Sequence, residues 1–254
     1  MSTRSCNDVR DQGTTNSAQR KRDVFFKRGP TLFELIRQAL SSTQRGYDLL
    51  APKFDASPFR TPDEMLGFAM ETIGGADTAL DVCCGTGVAT QALRRICREK
   101  VVGVDFSPGM LAQARRKLEN AEGTAKVEFV EADVMKMSFR EEFDVVTCFG
   151  GLGHIPPGEE MAFVKLVYRA LKRGGRFVFY SAYPPHVLSF RSIVLRSFNL
   201  TMRVRNALLK PPFIMYYFNF LLPEIAQKLK EEGFAVEIRN GPHGRHRIVV
   251  ATKC

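Results

Sequence analysis

The chain has 254 residues, 44% of them hydrophobic and 25% charged, with a formal net charge of +10. That length suits one α/β domain with additions, and no apolar run approaches the roughly 20 residues of a membrane-crossing helix. Six cysteines without a CxxC pair match neither a zinc site nor a disulfide framework; reduced thiols in a cytosolic protein fit best.

Residues 1–29 are polar and basic and read as a disordered tail. They lack the apolar stretch of a secretory signal, though another kind of targeting segment stays open. Gly29-Pro30 ends the tail. Thr31 can cap a helix whose apolar positions Leu32, Leu35, Ile36 and Leu40 share one face. A loop follows from Ala51 to Asp55. Thr61-Pro62-Asp63-Glu64 then reads as a cap, a first-turn proline and two helix-start acids, with Gly74-Gly75 ending that helix after Ile73.

From residue 78 strands and helices alternate. Strands are predicted at Ala79–Val82, Val101–Val104, Lys126–Val130, Phe143–Cys148 and Arg176–Tyr180. Helices are predicted at Val88–Arg98, Pro108–Leu118 with Ser107 as cap, and Met161–Leu171. Residues 184–222 interrupt this rhythm, with a helical part ending at Pro211-Pro212. A helix at Pro223–Glu232 and strands at Ala235–Arg239 and Arg247–Thr252 complete the chain. Alternation predicts an α/β fold with a mostly parallel sheet covered on both faces. The last two strands are joined by a loop too short for a crossover helix, so they pair antiparallel.

The basic charge sits in two places. Residues 1–30 hold a balance of +4 and residues 184–222 one of +5 with no acid. This argues against a dedicated nucleic-acid domain, whose basic residues spread over a fold face.

The chemistry starts at Asp81-Val82-Cys83-Cys84-Gly85-Thr86-Gly87. A strand runs there into a glycine turn that opens a helix, and such a turn lets a ligand approach backbone N–H groups. The next strand ends in Asp105, an acid placed to accept from ribose hydroxyls. Together the two features point to a nucleoside-containing cofactor. The spacing does not fit the GxGxxG of dinucleotide oxidoreductases, since Ala89 and Thr90 follow Gly87.

With these motifs the chain, over about residues 45–254, resembles the class I S-adenosylmethionine-dependent methyltransferases. Their fold is a Rossmann-like seven-stranded sheet with a C-terminal antiparallel hairpin. The stretch Tyr47-Asp48-Leu49-Leu50-Ala51-Pro52-Lys53-Phe54-Asp55 is similar to the branch that methylates ubiquinone and menaquinone precursors. The resemblance implies a domain over residues 30–254, with N-terminal helices over 30–77 and a substrate-side insertion over 184–222.

It also implies roles. Asp81, Gly85, Thr86 and Gly87 fall on the family's cofactor turn. Cys83 stands where its first glycine usually sits, narrowing the space near the methionine portion. Asp105 matches the ribose acid, and Phe106 and Met110 the apolar residues packed on adenine. Asp133 matches the acid that reads the adenine amino group, beside the N–H of Val134. Phe149 follows the strand whose end lies beside the sulfonium. Gly150, Gly151 and Gly153 follow in a loop that reaches the substrate, and His154 is either a general base or a histidine outside the chemistry. No metal cluster is expected.

The resemblance therefore implies an enzyme that transfers a methyl group to a small, lipophilic acceptor. Two other readings remain: an RNA methyltransferase, although the Asn/Asp-Pro-Pro-Tyr loop is missing, and a non-catalytic relative that binds the cofactor or nothing. Residues 184–222 interleave arginines with large apolar side chains. They form a helical cap with apolar core residues and solvated arginines, a lid over a greasy acceptor that touches an anionic membrane surface, or an RNA contact.

Overall fold

The computed structural model describes residues 29–242, 244 and 246–254. The tail expected over residues 1–29 lies, as far as residue 28, outside the described residues.

Two short helices lead in, α1 (Leu32–Leu40) and α2 (Thr43–Leu50). Thr31 accepts from the Glu34 amide while the Glu34 carboxylate takes the Thr31 N–H, a reciprocal cap. The break at Ser41-Ser42 was not expected. Ser42 accepts from the Arg45 amide and starts a new helix there. The loop expected at Ala51–Asp55 is a 3-10 turn over Ala51–Ala56. Helix α3 (Asp63–Ile73) ends at Gly74 as expected, but its N-cap position is Pro62 rather than Thr61, because Pro62 is already extended.

The alternating part contains β1 (Ala76–Val82), α4 (Val88–Ile96), β2 (Cys97–Asp105), α5 (Pro108–Leu118), β3 (Lys126–Glu131), β4 (Phe143–Cys148), α6 (Glu160–Ala170) and β5 (Leu171–Ser181). After it come α7 (Phe190–Leu208), α8 (Glu224–Glu231), β6 (Phe234–Asn240) and β7 (Arg247–Lys253). The sheet order is β3-β2-β1-β4-β5-β7-β6, with only the β5–β7 and β6–β7 pairs antiparallel. The seven-stranded sheet with its terminal hairpin is as expected.

Three strands begin three or more residues earlier than predicted, β1 at Ala76, β2 at Cys97 and β5 at Leu171. Strand β2 starts at Cys97, which pairs with Ala76 across an irregularity, and the charged Arg98-Glu99-Lys100 masked it. Strand β5 takes in Gly174-Gly175 as a register break between the Phe143–Leu171 and Val145–Arg176 pairs. Gly174 has φ +74°, so the local turn is real, but it lies inside the strand.

Strand residues alternate between two apolar layers. Leu80, Val146, Phe177 and Phe179 face one, with Phe163 from α6 and Leu229 from α8. Ala79, Val145 and Val178 face the other, with Ile73 from α3 and Leu93 from α4. This two-sided burial fixes the register of the central strands and hence the height at which β1, β2 and β4 end. Those ends carry the site.

Segment 184–222 departs in part from the expectation of apolar core and solvated arginines: Arg191, Arg196 and Arg203 are exposed and Met202, Phe213, Phe220 and Leu222 are buried as that reading has it, but one arginine and one apolar stripe are reversed. On α7, Phe190, Ile193, Leu200 and Leu208 are exposed while Arg205 is buried. The Arg205 guanidinium donates to the carbonyls of Ala39, Leu40 and Ser41 at 3.0, 2.9 and 2.7 Å and to that of Pro211 at 2.7 Å. It neutralises the carbonyl end of α1 and ties the insertion to the N-terminal helices.

Candidate active site

The ends of β1, β2 and β4 surround a cavity of about 470 Å³. Of the twelve site residues expected from sequence, nine line it: Asp81, Cys83, Gly85, Thr86, Asp105, Phe106, Met110, Phe149 and His154. Gly87 stands behind the turn. Its φ is +77°, and a Cβ there would meet the Ala114 Cβ at 2.9 Å, so it lets α4 start against α5.

The floor is a hydrogen-bonded turn. Asp105 Oδ2 accepts from the Gly85 amide and Oδ1 from the Ser107 amide, both at 2.9 Å. Burial pushes its carboxyl above the ordinary range, partly offset by the Ser107 and Gly85 amides, while Asp48 adds to the rise. Each carboxylate oxygen keeps lone-pair capacity after these bonds, enough for two hydroxyl groups. Asp81 lies deeper. Its oxygens accept from Thr90 at 2.6 Å and Thr147 at 3.1 Å, and burial raises it to about 6.

Cys83 has φ +56°, left-handed for a residue with a Cβ. Its side chain leans on the loop after β4: a Cβ added to Gly151 would lie 2.4 Å from the Cys83 Cβ and 3.2 Å from the Cys148 Sγ. Gly151 is thus the space into which Cys83 fits. The Cys148 thiol and burial push the Cys83 thiol up, so it stays protonated and unreactive.

Asp133 and Val134 line a neighbouring cavity of about 700 Å³, which shares Cys83, Phe106 and His154 with the first. Asp133 accepts from the Met135 amide at 2.9 Å and caps the 3-10 turn Val134–Lys136.

On the same cavity stands Tyr47, from α2, its ring 6.4 Å from that of Phe106; the sequence left it without a role. Its Oη lies 2.7 Å from His154 Nε2, and His154 Nδ1 lies 2.6 Å from the Ile214 carbonyl oxygen. A carbonyl can only accept, so Nδ1 carries the proton and Nε2 accepts from the tyrosine hydroxyl. Burial lowers the His154 pKa below its ordinary 6.5, against the raising effect of the Ile214 carbonyl. Burial also raises the Tyr47 phenol, with the Asp105 charge adding to it. At neutral pH both are uncharged, and the accepting nitrogen of the imidazole is engaged by the phenol.

Other residues missed by sequence come from far along the chain. Phe59, Arg60, Met215, Tyr217 and His246 complete the cavity wall. Asn199 of α7 accepts from the Tyr217 amide at 2.9 Å and donates to its carbonyl at 2.7 Å. Asn206 does the same for Phe213 at 2.9 and 3.0 Å. The insertion therefore holds the wall that carries Ile214 against His154. The only sequence signal was that 184–222 broke the strand–helix rhythm.

The methyltransferase domain family matches residues 79–175, from β1 into β5, and so covers the turn at 81–87, Asp105, Asp133 and His154. Demethylmenaquinone methyltransferase of Oceanobacillus iheyensis is 31% identical over 147 residues, 57% of this chain and 60% of that protein. The chain thus spans about three fifths of the length of that curated relative. Two solved structures share the fold over most of this chain. An O-methyltransferase family protein from Burkholderia thailandensis is 18% identical with TM-score 0.64, over 92% of this chain and 70% of that one. Magnesium protoporphyrin IX methyltransferase from Synechocystis PCC 6803, with bound SAH, is 18% identical with TM-score 0.54, over 97% and 98%. The matched stretch contributes the ends of β1, β2 and β4 to the cavity, and the N-terminal helices and the insertion complete it.

Proposed function

We propose that this chain is an S-adenosylmethionine-dependent methyltransferase whose acceptor is a small, lipophilic molecule with an ionisable ring hydroxyl. The observation that carries the proposal is the placing of two chemistries on one cavity. A nucleoside-type floor (Gly85, Asp105) faces a neutral, proton-accepting pair (Tyr47, His154).

The residues fit the cofactor. Asp105 would hold the ribose hydroxyls, Phe106 and Met110 would pack against adenine, and Asp81 with Cys83 would face the methionine end. Asp133 and Val134 would read the adenine edge from the adjoining cavity. Bound there, S-adenosylmethionine supplies an electrophilic methyl group, so the chain's own work is placement, exclusion of water and proton removal.

Proton removal runs through the dyad. The acceptor hydroxyl gives its proton to Tyr47 Oη as the Tyr47 proton passes to His154 Nε2. The resulting imidazolium keeps its Nδ1–H bond to the Ile214 carbonyl and donates from Nε2 to the phenol. The acceptor is left as a phenolate, with raised electron density on oxygen and on the ring carbon beside it. A relative named demethylmenaquinone methyltransferase supports a hydroquinone-like acceptor.

The remaining parts of the proposal concern place. The described cysteines are free, which favours a reducing cytosolic compartment. A lipophilic acceptor would be reached at a membrane surface through residues 184–222. The test is transfer of labelled methyl from S-adenosylmethionine to a short-chain naphthohydroquinone and, separately, to RNA. Label on the hydroquinone alone is expected. Label on RNA alone, or on neither, would overturn the proposal.

A further inference from the structure

We infer that the outward face of α7 is a docking surface for an anionic lipid bilayer. The inference rests on the proposed lipophilic acceptor and names the surface through which it would be reached.

Helix α7 has two apolar sides. Met202 is buried against the protein with Arg205. On the opposite side Phe190, Ile193, Leu200, Val204 and Leu208 recur at three-, four- and seven-residue spacings, and all face solvent, Phe190 at 83% and Leu208 at 76% exposure. Helix α1 is inverted in the same way. Gln38 is buried while Leu32 and Phe33 are 74% and 73% exposed, with Ile36 and Leu40 also outside. The Arg205 guanidinium joins the two helices through the Ala39, Leu40 and Ser41 carbonyls. A soluble monomer rarely leaves a stripe of five large apolar side chains along one helix in water.

Charge decides the occupant. Residues 184–222 hold Arg191, Arg196, Arg203 and Lys210 besides the internal Arg205, and no acid. A helix with an apolar stripe, flanking arginines and no carboxylates complements anionic headgroups over an acyl layer. A second copy of the chain would bring the same positive charge against itself. Among the described residues no helix is long and apolar enough to cross a membrane, so the contact is one of lying on the surface.

The inner side of the same helix holds the cavity wall. Asn199 and Asn206 fix Tyr217 and Phe213, and Met215 and Tyr217 line the cavity. Docking would set the acyl layer one helix thickness from the catalytic pocket, so a lipid-tailed acceptor need not leave the bilayer fully.

The test is sedimentation of the full chain with vesicles of phosphatidylcholine and phosphatidylglycerol at a 7:3 ratio, with pure phosphatidylcholine as control. Binding to the anionic vesicles is expected, weakened about tenfold by Phe190→Ser with Leu208→Ser and about tenfold without phosphatidylglycerol. Both substituted positions are exposed, so folding should hold, and the SAH affinity of the variant checks it. Turnover of a water-soluble short-chain acceptor should be unchanged in the variant, while turnover of a long-chain acceptor in vesicles should fall. Equal vesicle binding by parent and variant, or a vesicle-free dimer that the substitutions abolish, would overturn the inference. Vesicle binding without SAH binding would instead count against the proposed function alone.

Discussion

Tyr47 and His154 are 107 residues apart in sequence, yet the phenol oxygen of one lies 2.7 Å from Nε2 of the other. The Ile214 carbonyl on Nδ1 fixes the tautomer, so the pair can accept a proton but does not begin charged.

If the pair acts as base, His154→Gln and Tyr47→Phe should lower kcat by about 10²-fold or more, leaving cofactor affinity within a few-fold. The parent's kcat should hold flat above pH 6.5 and fall only below it, because burial lowers the His154 pKa. Steady-state kinetics against pH would check this. Unchanged kcat in both variants would make the pair purely structural.

Asp81 is raised to about 6 by burial, despite two threonine donors. The folded state thus holds this proton more tightly than the unfolded chain. That contribution is full below about pH 4, the unfolded carboxyl range, and is lost as pH rises through 6. Asp81→Asn should remove the loss and stabilise the protein by roughly 2–3 kcal/mol at pH 8, with little gain at pH 4. Urea unfolding at the two pH values measures it. Cofactor affinity should fall in the same variant, a trade of stability against function.

The left-handed Cys83 costs on the order of 1–2 kcal/mol that glycine would not incur. Cys83→Gly should raise stability by that amount and, by clearing the thiol from the site, tighten SAH binding about fivefold, near 1 kcal/mol. Calorimetry reads the change directly, and an unaltered Kd would mean that the thiol does not crowd the site.

Arg205→Met should cost about 3 kcal/mol or more, since it leaves the carbonyl end of α1 without its donors. Arg205→Lys should recover less than half, because an ammonium cannot span carbonyls from three successive residues and Pro211. Thermal unfolding of the three proteins would show the order.

The sheet was legible because its strands obey local rules. Apolar runs end in turn residues, and Gly85, Gly87 and Asp105 have spacings that only a βαβ unit explains. The cofactor floor was legible for the same reason, since its residues lie at strand ends. The other wall was not. Tyr47 reaches the cavity because α2 breaks from α1 at Ser41-Ser42, and that break depends on a cap bond rather than on periodicity. Helix α7 misled for a physical reason too. An apolar stripe at helical spacing reads the same whether it faces a core or faces out, and the burial of Met202 and Arg205 against an exposed Phe190 and Leu208 shows which way the helix is turned.

The most direct test is calorimetric titration of the protein with S-adenosylmethionine and SAH, with NADH as control and Asp105→Ala alongside. Micromolar binding of both adenosyl compounds, none of NADH, and loss of binding in the variant are expected. Absence of adenosyl binding by the parent, or equal binding by Asp105→Ala, would contradict it.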